Sequence, residues 1–262
     1  MSTKQAPKTK SNVLIVVAII TGVVVLVLGV KLSMRILLPK LVNKVVDTAV
    51  DTSFSTLDFD NAATFPVSQS LTQNEGMILQ MSLNKGKIFL DENSQSNSLL
   101  GEVAYLGAKP LYDYQTNQDK VALFSIKSTD QVGDSVALHL SDKTMTRVDI
   151  ALGAGSVDAD FSNLDVPLLN VSVGAGVVTI KFPKDHSVMA NLSSGVGKLN
   201  LMIYEGSGVR VILGQDSADM SFGDAYEKVE GGYQTKGYDE AKVKIELTLG
   251  QALGGFSIQG IE

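Results

Sequence analysis

Cysteine and tryptophan are both absent from the 262 residues of this chain, and histidine occurs only twice. Thiol catalysis is thereby excluded, and so are the tryptophan platforms on which many proteins stack sugars. The lack of disulfides does not fix the compartment, because a domain of this size has ample core without them. His139 lies in an alternating, strand-like run and His186 in the turn Pro183-Lys184-Asp185-His186-Ser187. Neither has the spacing of a catalytic triad or a metal site. Clustered basic residues are missing from most of the chain too. Residues 1–50 carry seven basic and one acidic side chain, so +6, which leaves −12 for the remainder of a chain whose total is −6. An acidic domain without Lys/Arg clusters is a poor binder of nucleic acid, while its acidity keeps it soluble and off anionic lipid.

What the chain does have is a seven-position frame, six of its positions apolar, that recurs six times. Starting from a residue p, apolar residues stand at p, p+2 and p+4, a small turn residue at p+5, and apolar residues again at p+9, p+11 and p+13. Val148, Ile150, Leu152, Gly153, Val157, Ala159 and Phe161 fit it. Copies follow at Leu169 and Ala190, each 21 residues on, then at Val209 and Ile245, and a weaker copy lies upstream at Leu79 with Asn84 in the glycine place. Alternate residues of a strand share a face, so each half-frame is one short strand with an apolar side. Between the halves, Gly153, Gly155, Gly174, Gly176, Gly195 and Gly197, with Gly214 and Gly250 in the last two copies, supply corners where positive φ costs little.

A unit of this length cannot bury its own apolar face, so a fixed period implies stacking of neighbours. The expected fold is all-β, a right-handed β-solenoid or β-helix-like domain over residues 75–262. A repeated hairpin sandwich is the competing arrangement. Two stretches interrupt the frame, Glu92 to Arg147 and Gly223 to Val243, and the second contains the polar Gly231-Gly232-Tyr233-Gln234-Thr235-Lys236-Gly237. Insertions of that kind map to loops, where binding often occurs.

The amino-terminal part is a different material. A short basic tail, residues 1–11, precedes an uncharged apolar run over residues 12–30. At 1.5 Å per residue that run crosses a hydrocarbon core of about 30 Å. A cleaved secretory signal is the alternative, but its apolar region would be shorter and followed by a cleavage site. The reading is a single-pass membrane anchor. Residues 31–50 form a basic amphipathic juxtamembrane segment, with Lys31, Arg35, Lys40 and Lys44 as candidate contacts to anionic headgroups. A stalk or a cap on the first coil is equally compatible with it. Residues 51–74 are read as a linker. Basic residues flank both sides of the apolar run, so orientation is set by expectation only: an extracytoplasmic carboxyl-terminal domain held at the cell membrane.

Paired carboxylates carry the one enzymatic hypothesis. Asp158 and Asp160 share an outward strand face, and glycosidases use such pairs as acid and base. Equivalent positions in the next coils are Thr179 and Lys181, then Asn200 and Met202, so the column is a mixed solvated face with an Asp160–Lys181 ion pair. The Gly-Ala-Gly corners repeat with the β period and precede no helix, which separates them from nucleotide loops. The expectation is no enzyme, no metal and no cofactor.

The series Val148-Asp149-Ile150-Ala151-Leu152-Gly153-Ala154-Gly155 and Val171-Ser172-Val173-Gly174-Ala175-Gly176 resembles the bacterial toast-rack domains. Leu83-Asn84-Lys85-Gly86-Lys87-Ile88-Phe89-Leu90 and Glu102-Val103-Ala104-Tyr105 are similar to that family's amino-terminal portion. These domains occur in LiaF-type cell-wall-active antibiotic response proteins and in adhesin-like relatives. The resemblance implies a non-catalytic, membrane-tethered scaffold of the envelope, with the bilayer and either a protein or a second copy as partners. This chain has one amino-terminal span where many LiaF-type proteins have several. Self-assembly into a filament, as in bactofilin-like proteins, is the alternative, favoured by the meagre cap Gln259-Gly260-Ile261-Glu262. A β-helix polysaccharide enzyme comes last.

Overall fold

A computed structural model describes residues 57–93, 97–141, 145–214 and 222–262, with side chains for all of these but 251–254. The apolar run 12–30 and the basic segment 31–50, with Lys31, Arg35, Lys40 and Lys44, lie outside the described residues. Among the described residues no helix is long and apolar enough to cross a membrane.

The described chain is all-β. Its thirteen strands are β1 (Ala63–Ser70), β2 (Gly76–Glu92), β3 (Ser98–Tyr105), β4 (Leu111–Thr116), β5 (Val121–Lys127), β6 (Asp134–Leu140), β7 (Met145–Asp160), β8 (Leu168–Lys181), β9 (Val188–Tyr204), β10 (Gly208–Leu213), β11 (Tyr226–Val229), β12 (Gly232–Thr235) and β13 (Lys244–Ile261). Five of them, β2, β7, β8, β9 and β13, are long, bend in the middle and stack in parallel. Each therefore contributes a first arm before the bend and a second arm after it. In the central three the stack follows the 21-residue period. Ile150 stands beside Val171 and Val171 beside Leu192, while across the bend Ala159 stands beside Ile180 and Ile180 beside Leu201. All six are buried. In the turn after the second arm of β7, Phe161, Leu164 and Val166 are buried.

Two columns of glycine make the bend possible. Gly155, Gly176 and Gly197 have φ of 152°, 156° and 153°. A Cβ on any of them would overlap the carbonyl oxygen of the glycine one rung earlier. Gly153, Gly174 and Gly195 lack the unusual φ, but a Cβ there would also press on the backbone of the preceding rung. The upstream copy corrects one expectation. Its left-handed residue is Gly86, at φ 154°, and Asn84 has no positive φ. Asn84 is tolerated because its side chain reaches the loop between β5 and β6, where Nδ2 donates to the Asp130 carbonyl at 2.5 Å.

Winding is sequential only in that central part. β5 and β6 together form a complete coil against β2, pairing with its first and second arms respectively. Residues 128–133, with Gly133 at φ 147°, lengthen the corner, so the frame is stretched and escapes detection. Antiparallel strands then close this end, with β4 on β5, β3 on β6 and β1 on β3. The segment assigned as linker thus contains a strand of the sheet, since β1 pairs with β3 over Ala63–Ser70, and Phe65, Val67 and Leu71 are buried.

At the other end β13 is threaded between β9 and β10, and the sheet continues through β12 to β11. The frame copy at Val209 therefore does not stack on the copy at Ala190: Val211 pairs with Leu247, and Leu247 pairs with Ala190. The last frame copy is also displaced by two residues. Gly250 faces Ser193, and Gly254 is the residue beside Gly197. A slip of two preserves the inward–outward alternation, which is why the pattern alone misplaces the corner. Gly214 and Gly250 are not left-handed corners. The carboxyl-terminal strand is no bare end cap either, because β10, β12 and β11 lie beyond its first arm.

Candidate functional site

The outward side chains of the first arms form two adjacent columns. One runs Ser125, Gln80, Asp149, Asn170, Asn191 and Thr248. Parallel pairing sets them about 4.8 Å apart, which is within reach of side-chain amides. Gln80 Nε2 donates to Asp149 Oδ2 at 3.3 Å, Asn170 Nδ2 to Asp149 Oδ1 at 2.7 Å, and Asn191 Nδ2 to Asn170 Oδ1 at 2.8 Å. Arg147 Nε adds a 2.7 Å bond to Asp149. Burial alone would raise the Asp149 carboxyl, but the bonds from Arg147, Asn170 and Gln80 outweigh it and hold it below the usual carboxylate range.

The second column, two residues along, is Lys127, Ser82, Ala151, Ser172, Ser193 and Gly250. Its small side chains leave a shallow groove of about 750 Å³ beside the amide ladder. Chemically the groove offers hydroxyl and amide groups at the spacing of a β-sheet. Asp149 is the one carboxylate in its lining, so a carboxylate acid–base pair of the glycosidase kind has no second member there. Alternation predicts the outward face; that β2, β8 and β9 place amides in register around Asp149 of β7 becomes visible only from the pairing.

The singled-out acidic pair sits elsewhere. Asp158 stands between Phe89 and Thr179 on the second-arm face. Asp160 accepts from the Ser162 backbone N–H at 2.9 Å, from the Ser162 hydroxyl, and from Lys181 Nζ at 3.3 Å. The expected Asp160–Lys181 pair is present. Burial works against the Asp160 anion, yet Ser162 and Lys181 together keep its pKa lowered, which suits an ion-pair partner and not a proton donor. His139 Nδ1 contacts Asp91, and His186 Nδ1 lies 3.7 Å from Asp165 Oδ1. Among the described residues no group of three or more His, Asp and Glu side chains could hold a metal ion.

Two features had no sequence signal. Asp134 is buried at the start of β6, where its carboxylate takes the Ser128 hydroxyl, and burial pushes its pKa up. Residues 223–237, read as a candidate binding loop, fold back as the β11–β12 hairpin, with Tyr233 paired to Val211 of β10. Phe222 stacks on Tyr233 at 4.4 Å and lies 6.0 Å from Phe256. The hairpin extends the sheet.

A bent, parallel-stacked β domain with glycine corners and a self-bonded polar face defines a repeat-built, all-β domain. The family described as the N-terminal domain of toast_rack, DUF2154, matches residues 51–202, more than half of the chain, and the chain belongs to it. No curated protein matches. Among solved structures, one described as a proposed cell adhesion protein from Clostridium sporogenes is 19% identical, covers 77% of this chain and 100% of its own, and superposes with a TM-score of 0.64. A proposed adhesin from Bacteroides fragilis is 12% identical, with coverages of 75% and 97% and a TM-score of 0.26. The first of these likenesses supports the fold.

Proposed function

We propose that this chain is a non-catalytic scaffold of the bacterial cell envelope, anchored by a single span over residues 12–30 and holding a protein partner on the groove face of its domain. The observation that carries this reading is the registered ladder of Gln80, Asp149, Asn170 and Asn191 beside a column of small residues. It is a preformed polar surface without paired reactive groups. Lys31, Arg35, Lys40 and Lys44 would meet anionic headgroups, and the domain would wind with the right hand that parallel crossovers favour. Family membership supports an envelope role, and the fold shared with a proposed cell adhesion protein fits a domain outside the cytoplasm. A part in an envelope-stress or antibiotic response is the finer form of the same proposal.

Protease treatment of intact and permeabilised cells tests it. Digestion of the carboxyl-terminal domain in intact cells is the expected result; protection until permeabilisation would place the domain inside and remove the outward-facing reading. End-to-end filament assembly draws less support, because antiparallel strands flank the parallel first-arm stack on both sides, β4 at one end and β12–β11 at the other.

A further inference from the structure

The last strand in chain order, β13, occupies a slot that two earlier strands leave for it. β9 ends at Tyr204 and β10 begins at Gly208, yet these consecutive strands do not pair. Residues 205–207 carry the chain past a whole rung, about 9.6 Å at the spacing of paired strands, and β13 fills that rung in parallel with both neighbours. Ile245, Leu247 and Leu249 are fully buried there, between Val188, Ala190 and Leu192 of β9 and Val209, Val211 and Leu213 of β10. Until β13 arrives the slot exposes two facing backbone edges, and a parallel strand with large aliphatic side chains at alternate positions is what completes it.

β13 is also the most glycine-rich of the five long strands, with Gly250, Gly254, Gly255 and Gly260 inside it. Glycine in a strand interior packs nothing and loses the most entropy on ordering. Where β13 passes Ser194 of β9, that hydroxyl is buried without a hydrogen-bond partner. The segment leading into the strand, residues 236–243, is exposed or half-exposed apart from Tyr238, and when extended it reaches about 26 Å. Tyr238 docks on the slot itself: its hydroxyl donates to Glu246 Oε1 at 2.8 Å, and its ring lies 4.2 Å from the Arg210 guanidinium of β10.

We infer that β13 exchanges between two copies of this chain, each inserting residues 244–261 between β9 and β10 of the other, with residues 236–243 as the hinge. Complementarity fixes the occupant. The slot of a second copy is identical, so the contacts of Ile245, Leu247, Leu249 and Tyr238 are all remade and only the hinge takes a new path. Exchange takes place as two chains fold together, while the slot is empty, because withdrawing a seated β13 would open both edges at once. Reciprocal insertion closes the pair. Thr248 and Gly250 line the groove beside the amide ladder, so in the exchanged pair each groove is completed by residues from the other copy.

The absence of cysteine supplies a clean background. Ser257 of β13 and Asn200 of β9 are paired in register, with Ser257 Oγ donating to Asn200 Oδ1 at 3.2 Å, and parallel neighbours about 4.8 Å apart suit a disulfide. Two differently tagged full chains, one carrying Ser257→Cys and the other Asn200→Cys, are co-expressed, solubilised in mild detergent and gently oxidised. Asp158→Cys and Thr179→Cys, paired in the same way across β7 and β8, serve as the control from the sequentially wound part. The expected result is a disulfide between unlike tags for 257 with 200 and none for 158 with 179. No linked pair from 257 and 200 overturns the exchange. Equal yields from the two joints overturn it as well, and so do Ser257→Cys chains that link to one another as readily as to Asn200→Cys chains, since both mean contact between whole domains. A chain carrying Asn200→Cys together with Ser257→Cys checks the register. If its cysteines close neither within a chain nor between chains, the register falls and the exchange with it.

Discussion

The two ends of the strand stack share a device that its middle lacks. At one end β2 is inserted between the β5–β6 coil and β7, although it precedes both in sequence; at the other β13 is inserted between β9 and β10, although it follows both. From β7 to β9 each coil stacks on the one before it, 21 residues on, with glycine on glycine at the bend. A repeat winding that simply stopped would leave open backbone edges of full length at each end, with the aggregation hazard that implies. Running out to a further rung, adding antiparallel strands and then returning inside leaves shorter edges. Pro66, which cannot donate to a ladder, stands on the outermost strand β1.

If the middle is held by register, substitutions there should be the most damaging. Gly176→Ala puts a methyl group onto the Gly155 carbonyl at a φ of 156°, and relief requires the rungs to separate. A loss of more than about 3 kcal/mol is expected, a large fraction of the roughly 5–15 kcal/mol that holds a domain folded. Leu201→Asp buries a carboxylate between Ile180 and Ile258 with the same outcome. Circular dichroism melting reads both, and wild-type-like melting of either would refute the stacked register.

The end devices should matter less, and differently. Deleting residues 224–236 removes the β11–β12 hairpin and bares the edge of β10. The expected loss is roughly 2 kcal/mol together with aggregation on heating. An unaltered melt with lost partner binding would restore the loop interpretation.

Within the middle, Ser194 is the flaw. It points inward between Val173 and Gln251, and its hydroxyl is buried with no hydrogen-bond partner. Ser194→Ala removes an unsatisfied polar group and should raise stability by about 1 kcal/mol. No gain in urea denaturation would mean the hydroxyl is satisfied.

Carboxylates from the two regions should respond to acid with opposite sign. The Asp149 pKa is lowered in the fold, so its contribution is present above the unfolded value and is lost as pH falls through the folded one. Asp149→Asn should destabilise at pH 7, by no more than about 1 kcal/mol after solvent screening, and should be neutral at strongly acid pH. The Asp134 pKa is raised by burial, so its ionisation costs stability as pH rises above the unfolded value. Asp134→Asn should stabilise at pH 7 and lose that advantage in acid. Parallel pH profiles for the two variants would contradict the assignment.

Legibility follows the same division. The central coils could be read to the residue because identical corners repeat at a constant interval, and the Asp160–Lys181 pair followed from that register. The β5–β6 coil could not, because residues 128–133 stretch its corner and its inward residues, Phe124 and Ile126 before the turn, Val136 and Leu138 after it, lose the five-residue offset. Out-of-order insertion leaves no local trace, since pairing partners are chosen by the whole chain. The groove was half legible: outward positions follow from alternation, but Gln80 beside Asp149 required knowing that β2 neighbours β7 across a gap of more than fifty residues.

Gly250 gives the finest test of that distinction, and the smallest effect. The repeat frame places it at a corner equivalent to Gly195, where a methyl group would strike backbone. The pairing places it beside Ser193 on the outward face of a first arm, where an added Cβ would meet the nearest atom, Ser193 Cβ, at 3.6 Å, an ordinary contact. Its φ is not left-handed. Gly250→Ala should therefore change stability by less than about 0.5 kcal/mol, with a slight gain from the reduced entropy of the unfolded chain as the expected sign. A loss comparable to that of Gly176→Ala would return Gly250 to the corner column, and would mean that β13 pairs with β9 two residues away from the register described.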